Sequence, residues 1–93
     1  MKRGIRRMII KVLAAEGNLN AASNVDNATV VRLYNGHSGA LVISRTDASD
    51  GAIGSLTVVN GETVILEKEP TDKLSAASNG TSVKVAKVAY NIS

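Results

Sequence analysis

The 93-residue sequence contains no cysteine, no phenylalanine and no tryptophan. Without cysteine, neither disulfide bonds nor thiolate metal sites can stabilise the chain. Tyr34 and Tyr90 are the only large aromatic residues, so valine, isoleucine, leucine and alanine must form the core. Because these side chains bury less apolar area than aromatic rings, we expect a single domain of modest stability that gains from contacts with other molecules.

Groups that could perform chemistry are also scarce. His37 is the only histidine, and one imidazole without cysteine is too little for a histidine metal site or a Ser-His-Asp triad. Asp47, Asp50 and Gly51 resemble part of a calcium loop, but the closing glutamate is missing. We therefore interpret this segment as a hairpin turn with supporting aspartates.

Acidic residues cluster in sequence at Glu62, Glu67, Glu69 and Asp72. Acid–base catalysis would require two of them in one sheltered cleft, whereas Glu67 and Glu69 flank Lys68 in the pattern of a solvated strand edge. No apolar run reaches the ~20 residues of a membrane helix. The sequence thus predicts no enzyme, no catalytic residue, no cofactor, no metal and no membrane partner.

Turn dipeptides divide the chain into short segments rich in β-branched residues. Asn-Gly occurs three times and Asp-Gly once, and these dipeptides favour tight hairpin turns. Six such segments predict strands, two before the first of these dipeptides and four after it: residues 8–15, 29–34, 40–45, 53–59, 63–68 and 82–92. We expect an all-β fold, a small antiparallel sandwich or barrel of about six strands, with an extended N-terminal arm.

Two of these strands carry further predictions. The segment 63–68 has apolar residues on both faces, which predicts a central strand. In the last strand, Val83 and Val85 alternate in a different phase from Val88 and later apolar residues, which predicts a β-bulge near Ala86 and Lys87. The polar segments 16–28 and 69–80 read as long loops, and long loops often carry contacts.

The net positive charge of +3 resides in the first eleven residues. We define residues 1–11 as a basic arm running into the first strand, and 12–93 as the β domain. The arm has the outline of a secretory leader, but Lys11 interrupts its apolar stretch and Glu16 replaces a small-residue cleavage site, so we expect no signal peptide. Its partner-binding residues are predicted to be Lys2, Arg3, Ile5, Arg6, Arg7, Met8, Ile10 and Lys11.

Three roles for the arm stay open: docking on a protein neighbour, a solvated terminus, or binding to nucleic acid or another anionic surface. Five cations could grip phosphates in a salt-dependent way. Single-strand binders also need stacking rings, however, and this chain has two tyrosines. Docking on protein is therefore favoured, with Ile5, Met8 and Ile10 as apolar anchors.

The segments VRLYNGHSGALVIS at residues 31–44 and NGETVILEKEPTDKLSA at residues 60–76 resemble small virion proteins of tailed bacteriophages, above all capsid decoration or cement proteins. The resemblance covers roughly residues 29–89. It implies a β-sandwich on the outside of a capsid that binds the major capsid protein or other virion proteins, often as a homotrimer. It carries over no catalytic residue.

We therefore expect a non-enzymatic virion structural protein, present in the host cytoplasm during assembly and then on the capsid surface. The loop residues Pro70, Thr71 and Asp72 are predicted to join the arm in partner binding. The alternatives are a small nucleic-acid-binding β-barrel that uses the basic arm, or a structural component of a phage neck or tail.

Overall fold

A computed structural model describes residues 8–92 and confirms the predicted all-β class. The chain forms eight strands: β1 (Met8–Val12), β2 (Gly17–Asn18), β3 (Val30–Asn35), β4 (Leu41–Thr46), β5 (Ala52–Val58), β6 (Thr63–Glu67), β7 (Lys73–Ala76) and β8 (Val83–Ile92). A single 3₁₀ turn, Gly80–Ser82, precedes β8 within this part of the chain.

The strands form two antiparallel sheets that pack as a sandwich. The larger sheet has the order β1-β8-β3-β6, with β2 also paired to β8, and the smaller one has the order β5-β4-β7. Their inner faces share one aliphatic core, as the composition predicted. Its fully buried large side chains include Leu33, Val31 and Val83 from the larger sheet and Ile43, Leu74 and Val58 from the smaller.

The strand predictions were wrong in three places. Two short strands, β2 and β7, lie inside segments expected to be loops. The strand β6 is an edge of the larger sheet rather than a central strand, although Val64 and Leu66 do pack against the core. The bulge is absent from β8, which pairs with β3 without a shift of register from Val83 to Lys87.

A register shift does occur between β4 and β5. Arg45 pairs with Gly54 and Thr46 pairs with Ala52, so Ile53 is the extra residue on β5. The β4–β5 hairpin closes at Asp50, whose φ of 67° is left-handed, and the Asp47 carboxylate accepts backbone hydrogen bonds from Ser49 and Gly51. This confirms the interpretation of the segment as a supported hairpin turn.

The Asn-Gly dipeptides mark passages between the sheets rather than hairpins. Asn35 is fully buried at the end of β3, and its side-chain amide donates to the carbonyl oxygens of Gly39 and Val58 at 3.0 and 2.8 Å. Its side-chain oxygen accepts from the backbone N–H of His37. Asn35 thereby ties the crossing from β3 to β4 to the end of β5.

Candidate interaction surfaces

The second half of β8 forms a two-stranded ribbon with β1. Val88 pairs with Val12, and the pairing continues to Ile92 opposite Met8, whereas β3 accompanies β8 only as far as Lys87. We call the pair formed by β1 and residues 88–92 the terminal ribbon. It is therefore supported by a third strand only at its base.

Apolar side chains on the terminal ribbon are open to solvent. Ile9 is 46% exposed, Val12 is 66% exposed, and Leu13, directly after β1, is 49% exposed. A two-stranded ribbon is marginally stable in water by itself, and exposed clusters of large apolar side chains commonly mark contact surfaces. The terminal ribbon is therefore a candidate contact surface.

The predicted arm residues fall partly on this ribbon. Met8, Ile10 and Lys11 lie in β1, with Ile10 and Lys11 exposed. The remaining arm residues lie outside the described part of the chain: Lys2, Arg3, Ile5, Arg6 and Arg7. The described portion of the predicted arm is thus a paired strand of the larger sheet.

A second surface lies at β5, which the sequence analysis did not single out. Among residues 8–92, β5 pairs only with β4, and its other edge is free. Six of its seven residues are exposed. The segment AIGSLTV carries no charged residue and no proline, although such residues usually protect an edge strand from pairing with another chain. The bulge at Ile53 interrupts the regular pairing near the start of this strand.

An apolar groove runs beside this strand, between the open edges of the two sheets. It encloses about 200 Å³. Ile53 and Leu56, which are 49% and 39% exposed, form one wall, and Leu66 and Glu67 of β6 form the other. We call the free side of β5 together with this groove the β5 edge. The uncharged run between two turn dipeptides was the sequence signal that could have located it.

The predicted contact loop is divided between surface and interior. Pro70 and Thr71 are exposed, but Asp72 is buried. Both Nε and Nη2 of Arg45 donate to Asp72 Oδ2, at 2.8 and 2.6 Å, and the backbone N–H of Glu69 donates to the same oxygen. Asp72 is therefore engaged within the fold, which leaves Pro70 and Thr71 as the accessible part of this loop.

Two pKa values at this loop are shifted. The hydrogen bonds from Arg45 lower the pKa of Asp72 below its ordinary value of 3.8, against an opposing effect of burial. Burial lowers the pKa of Lys68 from 10.5, partly offset by the Asp72 carboxylate. The Lys68 ammonium donates to the carbonyl oxygens of Glu69 and Pro70. The group has the character of an internal ion cluster that fixes the start of β7.

Within residues 8–92, no three His, Asp or Glu side chains gather closely enough to hold a metal ion. The same stretch contains no helix with the length and apolar character of a membrane span. Within residues 8–92, Tyr34 and Val42 are also exposed apolar side chains, but the terminal ribbon and the β5 edge combine exposed apolar side chains with an unpaired strand edge.

We compared the chain with known protein families, curated proteins and solved structures. No protein family, curated protein or solved structure matches the chain.

Proposed function

We propose that this protein is a non-enzymatic structural protein of a virion, a capsid decoration or cement protein that binds the major capsid protein. The observation that carries an interaction role is the pair of uncovered apolar surfaces, the terminal ribbon and the β5 edge. The virion assignment itself comes from the sequence resemblance over residues 29–89.

The small aliphatic core supports the interaction role on energetic grounds. A domain of this size buries only about 60–65% of the surface of its unfolded chain, and this core contains no phenylalanine or tryptophan. Exposed Ile9, Val12 and Ile53 hold apolar area that is buried only when a partner covers it. Binding to a shell would therefore stabilise both partners, because the folded protein binds the assembled shell and neither unfolded partner takes part in the contact.

The mechanism we propose is the addition of contact area at the junctions between shell subunits. The free edge of β5 offers backbone N–H and C=O groups for strand addition, and the groove takes apolar side chains from the added strand. The cations of the arm would orient the protein on an acidic patch of the shell and make the binding salt-dependent.

This proposal is tested by locating the chain in particles. Particles purified on a density gradient from producing cells should contain the chain in a fixed ratio to the major capsid protein, as measured by quantitative mass spectrometry. Particles carrying the Ile53→Lys variant should hold less of it, whereas the Val42→Lys variant, changed on the outer face of β4, should be retained. Recovery of the wild-type chain solely in the free-protein fractions contradicts the virion role.

Nucleic-acid binding by the arm is the alternative, and a salt titration separates it. Steep loss of duplex DNA affinity with salt, near −0.9 in log–log slope for each phosphate contacted, would support it if deletion of residues 1–7 removed the binding. Salt-insensitive or absent DNA binding favours the protein-docking proposal.

A further inference from the structure

The terminal ribbon and the β5 edge lie on the same chain and offer complementary halves of one contact. β1 is the last strand of the larger sheet and β5 is the last strand of the smaller sheet. Each therefore has one side on which the described chain supplies no neighbouring strand. Unpaired strand edges are templates for pairing with another chain.

We propose that a second copy of this chain binds the β5 edge with its terminal ribbon. The contact adds β1 of one copy to β5 of the next, so that backbone hydrogen bonds join the two sheets. The inference rests on the proposed interaction role of these two surfaces and names a second copy, in place of a strand of the shell, as the occupant of the β5 edge. It does not depend on the virion assignment.

The electrostatics favour this pairing over a ribbon-to-ribbon contact. Two arms placed together would bring ten basic side chains close to one another, since each carries five. At the β5 edge, acidic groups outnumber basic ones, although Arg45 also lines the groove. Glu67 lines the groove, and Asp47 and Asp50 form the turn that leads into β5. Like charges repel and opposite charges attract across an interface.

The basic groups near the β5 edge are already occupied. Arg45 is paired with buried Asp72 at 2.6 Å, and Lys73 is paired with Asp50 at 3.0 Å. Within the described residues, Glu67 and Asp47 have no cationic partner. A cationic segment from a second copy therefore meets net negative charge at this surface.

The dimensions are also compatible. β1 has five residues, and an extended chain covers ~3.3 Å per residue, or roughly 16 Å in all. β5 has seven residues, so it is long enough to pair with the whole of β1. The ribbon supplies Ile9 and Val12, and the groove supplies Ile53 and Leu56, as the apolar parts of the contact.

Because the two surfaces differ, the contact is heterologous. Each bound copy presents a further free ribbon or β5 edge, so that association continues until a ring closes or an open chain forms. A heterologous contact has a distinctive behaviour when variants are mixed, and this behaviour provides the test.

The experiment uses three variants of the full chain: Ile9→Lys/Val12→Lys on the ribbon, Ile53→Lys at the β5 edge, and Val42→Lys as the control. Val42 is 41% exposed, similar to Ile53, but lies on the outer face of a central strand. Mass is measured by sedimentation velocity over a wide range of concentration, and folding is checked by circular dichroism. If Ile53→Lys does not fold, Ser55→Lys, exposed on the same strand, takes its place.

We expect the wild-type chain and Val42→Lys to exceed the single-chain mass of 9.7 kDa as concentration rises. Each of the other two variants should associate at least ~10-fold more weakly. Their equimolar mixture should form 1:1 dimers and nothing larger, because one intact ribbon then meets one intact β5 edge.

Three results would overturn the inference. The wild-type chain could remain a monomer throughout the concentration range. The Ile53→Lys variant could still dimerise while the ribbon variant does not, which would mean that ribbons pair with each other. Association could also disappear after nuclease treatment, which would mean that nucleic acid bridges the copies.

Discussion

Asp72 and Lys68 are both buried at the start of β7, and their charges act in opposite directions on stability. The ionised Asp72 accepts hydrogen bonds from Arg45 and from the Glu69 backbone, which lower its pKa. Its contribution to stability is therefore present at pH values above its unfolded pKa of 3.8. That contribution is lost as the pH falls through the lower pKa of the folded state.

The Asp72→Asn substitution tests this arrangement. We expect a lower Tm near neutral pH, because Arg45 loses an ionised partner, and a weaker dependence of Tm on pH below about 4, because no carboxylate remains to be protonated at this site. Melting curves followed by circular dichroism across the acid range measure both effects. An unchanged acid dependence would show that other carboxylates dominate it.

Lys68→Met is the matched comparison. Burial lowers the pKa of Lys68 more than Asp72 raises it, so the folded state disfavours the charged form of this amine relative to the unfolded chain. Stability due to this group rises with pH between its folded pKa and 10.5, since the unfolded chain binds the proton more tightly there. We expect Lys68→Met to lower Tm less than Asp72→Asn does at neutral pH. Equal losses would contradict the assignment of Asp72 as the favourable member.

Strain is concentrated in one loop. Val25, Asp26 and Asn27 are consecutive residues with φ between 53° and 57°. Left-handed backbone costs roughly 1–2 kcal/mol for a residue with a Cβ. Hydrogen bonds between Asn24 and Asn27 in both directions and burial of the Val25 side chain offset this cost. The side chain of Val25 thus packs in the core while its backbone is left-handed, a conformation that the propensity of valine does not predict.

At the scale of elements, the backbones of β2 and the 3₁₀ turn approach each other closely. The backbone N–H of Leu19 donates to the Gly80 carbonyl oxygen at 3.0 Å, and a Cβ at Gly80 would overlap the backbone carbonyl of Leu19. Only glycine permits this approach. The Asn79-Gly80 dipeptide therefore forms a turn and also allows the backbone of Gly80 to pack against that of Leu19.

We expect Gly80→Ala to reduce the free energy of unfolding by about 1–3 kcal/mol or more, because two backbones must move apart. Gly54→Ala is the control. A Cβ at Gly54 meets nothing within 4 Å, and alanine is favoured over glycine within a strand by ~0.5–1 kcal/mol. Urea unfolding of both variants measures the difference. A Gly80→Ala variant as stable as Gly54→Ala would contradict the close approach.

Periodicity and turn dipeptides were sufficient to predict the fold class and the location of six strands. They failed for β2 and β7, whose two and four residues are too few to show a period. They also failed for β6, because apolar residues on both faces indicate burial without telling whether a neighbouring strand or the opposite sheet provides it. The Asn35 turn was misread because its side chain also bonds the carbonyl oxygen of Val58, 23 residues away, and such a contact depends on tertiary structure.

The interaction surfaces were predicted only in part. Charge located the arm, and β1 does expose Ile10 and Lys11. The β5 edge was missed because alternation in a sequence cannot show which strand ends a sheet. Asp72 was assigned to a contact loop on its position after Pro70, whereas its burial depends on Arg45, which lies 27 residues away.

At the scale of the whole molecule, stability and association are linked. If copies associate only when folded, higher protein concentration favours the folded state. We therefore expect the wild-type Tm to rise with concentration, the Ile53→Lys variant to lose this dependence, and Val42→Lys to keep it. Differential scanning calorimetry at several concentrations measures the effect. A wild-type Tm independent of concentration would mean that the apolar surfaces are not covered by self-association.

The continuity of β8 has a mechanical consequence. Its first half is held between β2 and β3 in the body, and its second half forms the terminal ribbon with β1. Hydrogen bonds in antiparallel sheets run perpendicular to the strands. A pull on the ribbon along the strand direction therefore loads the bonds of β8 in shear, all at once, rather than peeling them one by one. A neighbour attached to the ribbon would therefore pull on the core along the direction in which the sheet resists force best.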